Sequence, residues 1–138
     1  MHSGAVRSLA TLDSGYLLSG SIDKSAKLFI LNNATGKYDF ENEFMHHNDF
    51  VYSVAPSVTG DGFFTGGKDG RAFKIDLKGS VIKTFNGHTG AVNSLSQALP
   101  EEVVSGSWDG TARIWNVQTG ACTKILPDHS HATSVLTL

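Results

Sequence analysis

Histidine, a hydroxyl side chain and aspartate recur together in this sequence, and hydrolytic triads use these residue types. The three sets are His2, Ser19 and Asp23; His47, Thr65 and Asp69; and His88, Ser105 and Asp109. In a hydrolase, one such set activates a hydroxyl for attack on a carbonyl carbon. Three copies argue against that chemistry, because an enzyme needs only one. We therefore interpret the sets as parts of a structural repeat and expect no catalytic residue.

The segment GFFTGGKDG, residues 62–70, offers a second chemistry, because it nearly spells the phosphate-binding loop G-x-x-x-x-G-K-[ST]. Such a loop needs a hydroxyl after the lysine to hold magnesium, and a helix whose N-terminus faces the phosphates. Asp69 stands in place of that hydroxyl, and the following RAFKID reads as a strand. The sequence therefore predicts that residues 62–67 form a strand ending at a turn, with no bound nucleotide.

Metal and thiol chemistry have little support. His46-His47 and His129-x-His131 carry ligand-type side chains, but no carboxylate or cysteine arrangement completes a site. The single cysteine, Cys122, excludes an internal disulfide and a multi-cysteine zinc cluster. We expect no metal, no cofactor and an unreactive thiol.

Composition limits the class of protein. The 138 residues are 40% hydrophobic and 17% charged, which suits one globular core. Eleven basic and thirteen acidic residues give a net charge of −2 without a block of one sign, so neither nucleic acid nor a membrane is an expected partner. The first residues do not read as an export signal, and no apolar run approaches the roughly 18 residues of a membrane span. We expect a cytoplasmic or nuclear location.

The sets recur with a fixed period. A histidine followed four residues later by valine occurs at intervals of 41–45 residues, at His2, His47, His88 and His131. An aspartate follows each of the first three histidines by 21 or 22 residues, with a hydroxyl residue four positions before that aspartate. Six residues after the aspartates stand Phe29, Ile75 and Trp115.

Four strand-like runs occupy each repeat; in the third they are AVNSLSQA, EEVVSGS, TARIWNV and CTKILP. A two-residue turn, Asp-Lys or Asp-Gly, is predicted between the second and third runs. The first two runs are apolar without strict alternation, as in sheets packed on both faces. These features predict propeller blades. In blade three, His88, Ser105, Asp109 and Trp115 would form one buried hydrogen-bonded quartet, in which deleting one member costs about 1–3 kcal/mol.

The run HTGAVNSL…VVSGSWDGTARIW resembles a complete WD repeat, and the resemblance covers the whole chain. It implies an all-β partial propeller with antiparallel four-stranded blades at about 3–45, 48–86 and 89–127, and an inner strand of a fourth at about 132–138. The second repeat departs most from the WD-repeat pattern, because it has Ile75 at the tryptophan position and Lys74 where the others have an apolar residue. We therefore expect its third strand to pack less well.

The register also predicts an exposed rim, made by the residues three and five after each histidine and the one before each aspartate. These are Ala5, Arg7 and Ile22, then Phe50, Tyr52 and Lys68, then Ala91, Asn93 and Trp108. Four of them are large apolar or aromatic groups, a type enriched at interface hot spots. The alternative is that they pack against adjacent loops of their own ring.

The order of these blades, with H-x-x-x-V-R-S-L at the first loop, then FVYSV, TGGKDG and SGSWDGTARIWN, is similar to the N-terminal three blades of the phospholipase-activating WD-repeat family. That resemblance implies a ubiquitin-binding adaptor in protein turnover. The rim would contact the apolar patch of ubiquitin, which is surrounded by basic residues. It transfers no individual contact. A generic scaffold that binds another protein or peptide on its rim is the alternative.

Propellers close with about four to eight blades, so we expect this chain to be part of a longer ring. Its terminal blades would then expose apolar faces and strand edges to the remaining blades or to a second copy. A light-scattering mass near 14.7 kDa at every concentration would contradict this expectation.

Overall fold

Residues 1–127 form three antiparallel sheets. The computed structural model describes residues 1–127, without the side chain of Ser14. The first sheet contains β1 Val6–Leu12, β2 Tyr16–Ser21, β3 Ala26–Asn32 and β4 Lys37–Phe44. The second contains β5 Val51–Pro56, β6 Gly62–Gly67, β7 Ala72–Asp76 and β8 Val81–Phe85. The third contains β9 Val92–Leu99, β10 Glu102–Ser107, β11 Ala112–Asn116 and β12 Cys122–Leu126.

Each strand pairs with the next along the chain, so every sheet is a four-stranded meander. One 3-10 turn, Asp13–Gly15, joins β1 to β2. The predicted all-β class is confirmed. The expected strand at 132–138 and His131 lie outside the described residues.

The hairpin between the second and third strand of each sheet differs from the prediction. In the third sheet, the Ser107 amide donates to the Thr111 carbonyl oxygen at 3.1 Å, which encloses three loop residues. The third loop residue has a positive φ in every copy, at Lys24, Gly70 and Gly110. A three-residue loop ending in this conformation is a common hairpin connection. The prediction of a two-residue turn was wrong, because the residue before each aspartate also belongs to the loop.

The middle sheet is buried on both faces. Phe63 and Phe64 are adjacent on β6 and therefore point to opposite sides of the sheet. Phe63 packs with Leu18 and Phe44 of the first sheet, whereas Phe64 belongs to the cluster that includes Trp115 of the third. Continuous apolar runs in these strands follow from this double burial.

The expectation of a poorly packed β7 was wrong. Lys74 is 7% exposed, and its Nζ lies 3.1 Å from Asp61 Oδ2 at the strand end opposite the predicted rim. Its ammonium group also lies 5.9 Å from the centroid of Phe64. A long aliphatic stem can cross an apolar surface while its charged end reaches a partner, so lysine fits this position.

The first sheet has an exposed inner strand. Val6 and Leu9 on β1 are 48% and 63% exposed, whereas β5 is buried over most of its length and β9 over half of it. β1 packs on β5, and β5 packs on β9. That a further blade or a second copy covers the exposed side of β1 stays a prediction.

Candidate functional site

The structure brings together the four residues of the blade-three set. His88 Nδ1 lies 2.7 Å from Asp109 Oδ2, and His88 Nε2 lies 2.7 Å from Ser105 Oγ. Trp115 Nε1 donates to the same serine oxygen at 2.8 Å. A neutral imidazole gives every member a partner: tryptophan donates to serine, serine donates to histidine, and histidine donates to aspartate.

The charges in this cluster fit that assignment. Burial lowers the pKa of His88 below its ordinary value of 6.5, although Asp109 opposes the shift. Burial raises the pKa of Asp109, but hydrogen bonds from Thr111 and His88 outweigh burial and lower that pKa to about 2. The pair therefore consists of a neutral imidazole and a carboxylate at neutral pH.

The first two sheets repeat the arrangement with three members each. His2 lies 2.8 Å from Asp23 Oδ2 and 2.6 Å from Ser19 Oγ. His47 Nδ1 lies 3.0 Å from Asp69 Oδ2, and its Nε2 lies 2.9 Å from Thr65 Oγ1. The fourth position is held by Phe29 and Ile75, which have no side-chain donor.

Sequence reasoning missed a further contact to each aspartate. The hydroxyls of Ser25 and Thr111, two residues after the aspartate, each donate to its Oδ1 at 2.6 Å. In the second blade this position is Arg71, whose Nη2 lies 3.2 Å from Asp69 Oδ2. The constant offset from the aspartate was the available sequence signal.

The hydroxyl groups in these clusters are closed to substrates. Their residues are at most 3% exposed, at Ser19, Thr65 and Ser105. A nucleophile must approach its carbonyl carbon, so buried hydroxyls engaged within the fold do not suit acyl transfer. The arrangement instead fixes the loop before each sheet to the hairpin of that sheet.

These clusters predict a loss of stability in acid. The folded pKa of His88 is lowered, so the unfolded chain binds more protons, and stability falls as pH drops below 6.5. The pKa values of Asp69 and Asp109 are also lowered, so their contribution is complete above 3.8 and is lost as pH falls toward about 2. Urea midpoints measured across this range should decrease in both windows. A urea midpoint independent of pH would contradict the prediction. In the variant D109N, the decrease of the midpoint in the lower pH window should be smaller.

The residues of the predicted rim lie at one end of the sheets. In each sheet, the amide of the residue before the aspartate donates to the carbonyl of the residue three after the histidine. The distances are 3.0 Å for Ile22 to Ala5, 2.8 Å for Lys68 to Phe50 and 3.0 Å for Trp108 to Ala91. Each hairpin is therefore joined to the inner strand of its own sheet at this end.

Five rim residues form one connected group, which we call the rim patch: Arg7, Phe50, Tyr52, Lys68 and Trp108. The Tyr52 ring lies 5.2 Å from the Trp108 ring and 6.0 Å from the Phe50 ring. Arg7 lies 5.4 Å from the centroid of Tyr52, and Lys68 lies 5.0 Å from that of Phe50. Contacts Arg7–Tyr52 and Tyr52–Trp108 cross from sheet to sheet, so the patch spans all three.

Exposure differs among the predicted rim residues. Trp108 is 47% exposed, and Arg7 and Lys68 are exposed as well. Half-buried side chains occur at Ile22, Phe50, Tyr52 and Asn93. Ala91 is buried, so its placement on an exposed rim was wrong: its carbonyl accepts from Trp108 while its methyl group lies inside.

The apparent phosphate loop is β6, and the predicted strand is confirmed. Its glycines provide space for neighbouring groups. A Cβ atom at Gly66 would lie 2.6 Å from Val92 Cγ1 of the third sheet. A Cβ at Gly67 would meet the ring of His47. Packing of the blade therefore accounts for these glycines.

Within residues 1–127, no three histidine, cysteine, aspartate or glutamate side chains are grouped to hold a metal ion. The same residues contain no helix long and apolar enough to span a membrane.

Repeated four-stranded meanders, each pinned by a histidine, a hydroxyl and an aspartate, define the class of repeat β-propeller proteins. The family model "WD domain, G-beta repeat" matches residues 1–29, 39–75 and 79–116. The chain therefore belongs to the WD40-repeat family.

Curated relatives share this repeat. COMPASS component SWD3 of Saccharomyces cerevisiae is 33% identical over 108 residues, which cover 67% of this chain and 34% of SWD3. THO complex subunit 6 of Arabidopsis thaliana is 38% identical over 65 residues, 46% of this chain and 18% of that protein. A ribosome biogenesis protein BOP1 homolog of rice is 52% identical over 42 residues, which cover 30% of this chain and 6% of that protein. The chain thus matches about a third or less of the length of these relatives.

Proposed function

We propose that this protein is a non-catalytic scaffold that binds a partner protein through the rim patch. The observation that carries the proposal is Trp108, an aromatic ring 47% exposed to solvent and held against Tyr52 of the neighbouring sheet. A large exposed ring on a rigid frame supplies contact area at little cost in conformational entropy, which is why tryptophan and tyrosine are enriched at hot spots.

The family supports the same role. WD40-repeat proteins bind other proteins, and the names of two relatives describe a component of COMPASS and a subunit of the THO complex. Membership of an assembly needs a docking surface rather than a reactive group, and the rim patch supplies an exposed one. A cytoplasmic or nuclear location belongs to this proposal.

Replacing Trp108 by alanine should weaken partner binding about tenfold or more, because hot-spot rings contribute about 2 kcal/mol. Stability should change by less than about 1 kcal/mol, since half of this ring faces water. Quantitative mass spectrometry of proteins that bind the wild type and W108A would measure the first effect, and urea denaturation the second.

Phe40→Ala is the matched control, because Phe40 is an aromatic residue on β4 that is 56% exposed and lies away from the rim. Partners should be lost with W108A and kept with F40A. The same set of partners bound by all three proteins would contradict a rim docking site.

A narrower proposal follows from the resemblance to the phospholipase-activating family: that the partner is ubiquitin. Ile22, Tyr52 and Trp108 offer apolar groups that suit ubiquitin's apolar patch. The cations Arg7 and Lys68 stand beside them and would repel the basic residues around that patch. Titration of ubiquitin, followed by NMR, tests the proposal. Binding that W108A abolishes would support the proposal. If millimolar ubiquitin causes no change in NMR chemical shifts, the generic scaffold remains as the proposed function.

A further inference from the structure

We propose that the rim patch selects an acidic partner segment, one in which an apolar side chain packs on Trp108 and flanking carboxylates pair with Arg7 and Lys68. The inference rests on the proposed function, since it names the chemistry of the segment that the rim binds. Three observations carry it: the free charges of the patch, the charge at the two ends of the sheets, and the cations already held by two of its rings.

The two cations of the patch are not neutralised within residues 1–127. Arg7 and Lys68 are exposed, and neither is in an ion pair in that part of the chain. Each lies instead over an aromatic ring, Arg7 over Tyr52 and Lys68 over Phe50. A ring orients a cation but leaves its net charge in place, so both groups are held ready for a carboxylate.

The exposed charges differ between the two ends of the sheets, although the whole chain carries −2. The second strands of the sheets begin beside exposed carboxylates, at Asp13, Asp61, Glu101 and Glu102, and two exposed lysines, Lys37 and Lys78, lie at the same end. The same strands end at the rim, where exposed cations lie at Arg7, Lys24 and Lys68; the exposed Glu43, near this end of β4, lies 3.5 Å from Lys27.

The carboxylates that do lie near the rim are engaged. Asp23, Asp69 and Asp109 are held by histidines, and Asp49 is half-buried with its Oδ1 accepting from the Phe50 amide. The rim therefore presents a positive surface around an exposed ring, which attracts acidic segments and repels basic ones.

Two of the three rings of the patch already hold cations. Tyr52 contacts Arg7 as well as Trp108, and Phe50 contacts Lys68 as well as Tyr52. A lysine or arginine of a partner would meet rings that already hold cations, and like charges would face each other. Trp108 alone offers a broad exposed surface, which suits an apolar side chain.

Selection from a library of random peptides tests the inference without a known partner. The wild-type protein is the bait, and peptides that also bind W108A are removed. We expect the recovered sequences to combine an aromatic or aliphatic residue with two or more aspartates or glutamates. Binding of a recovered peptide, measured by fluorescence anisotropy, should weaken about tenfold in the variant R7E/K68E and should decline with added salt.

Lys78→Glu is the matched charge reversal, because Lys78 is exposed in the turn between β7 and β8, at the opposite end of the sheet. It should leave the affinity within about twofold. Recovered peptides rich in lysine or arginine, or an R7E/K68E variant that binds acidic peptides unchanged, would overturn the acidic preference while the rim stayed a docking site. Tighter, Trp108-dependent binding of a single-stranded oligonucleotide would also overturn it. No recovered peptide that depends on Trp108 would remove the proposed function itself.

Discussion

Replacing His88 by alanine should lower the free energy of unfolding by about 3 kcal/mol, because it leaves a buried carboxylate and a buried hydroxyl without their shared partner. His88 bonds to Asp109 and Ser105 at 2.7 Å, and Ser105 is completely buried. The alanine also leaves a space beside Trp115, whose ring centroid lies 6.0 Å from that of the imidazole.

Urea denaturation followed by tryptophan fluorescence measures this loss, since Trp115 lies in the affected cluster. His46→Ala is the matched control: that histidine is half-buried, and its Nε2 lies 2.9 Å from the Gly79 carbonyl oxygen, outside the clusters. H46A should cost about 1 kcal/mol or less. Equal losses in the two variants would show that the His88 cluster has no special role in stability.

Much of the fold could be predicted because its signals are local and repeated. The residue pattern of β6 and β7, with Asp69 and Gly70 between them, predicts a hairpin from neighbouring residues alone. The pairing of His47 with Asp69 required only the constant offset between repeats. The contact recurs in three copies at a spacing of 21 or 22 residues, and the histidine–aspartate distances lie between 2.7 and 3.0 Å.

The features that could not be predicted depend on how the sheets pack against each other, and the sequence of a single repeat does not encode that packing. Lys74 interrupts an apolar pattern, so its strand was expected to pack poorly; only the structure shows that its ammonium group reaches Asp61. The contact of Arg7 with Tyr52 joins residues of different sheets, 45 positions apart, and has no counterpart within a repeat. Sequence identified the rim positions, whereas the structure shows which of them touch.

The repeat also explains why histidine, hydroxyl and aspartate side chains accumulate here. His2, His47 and His88 each bridge a loop to a hairpin by using both ring nitrogens, which leaves neither nitrogen for a substrate or a metal. The hairpin held in this way carries Trp108 at its first loop position. The clusters therefore position the rim, and their loss should disorder the proposed docking surface as well as lower stability.

Replacing Gly67 by alanine should lower the free energy of unfolding by about 3 kcal/mol or more, because the added methyl group would displace His47 from Asp69. The new Cβ would overlap the His47 ring and lie 2.9 Å from Asp69 Oδ1. His47 is 6% exposed and packs on Phe73 at a centroid distance of 4.7 Å, so its ring has no free space to move into. Urea denaturation measures the loss of stability. The NMR signal of the hydrogen-bonded imidazole N–H reports whether the pair with Asp69 has broken.

Gly36→Ala separates this steric effect from the general cost of replacing glycine. Gly36 has a φ of 70° and nothing within 4 Å of its added Cβ, so alanine there should cost only about 1–2 kcal/mol of backbone strain. It should also leave the imidazole signal unchanged. If G67A costs no more than G36A and the signal persists, the His47 ring has room for a methyl group. The glycine before Lys68 would then need an explanation other than the packing of the blade.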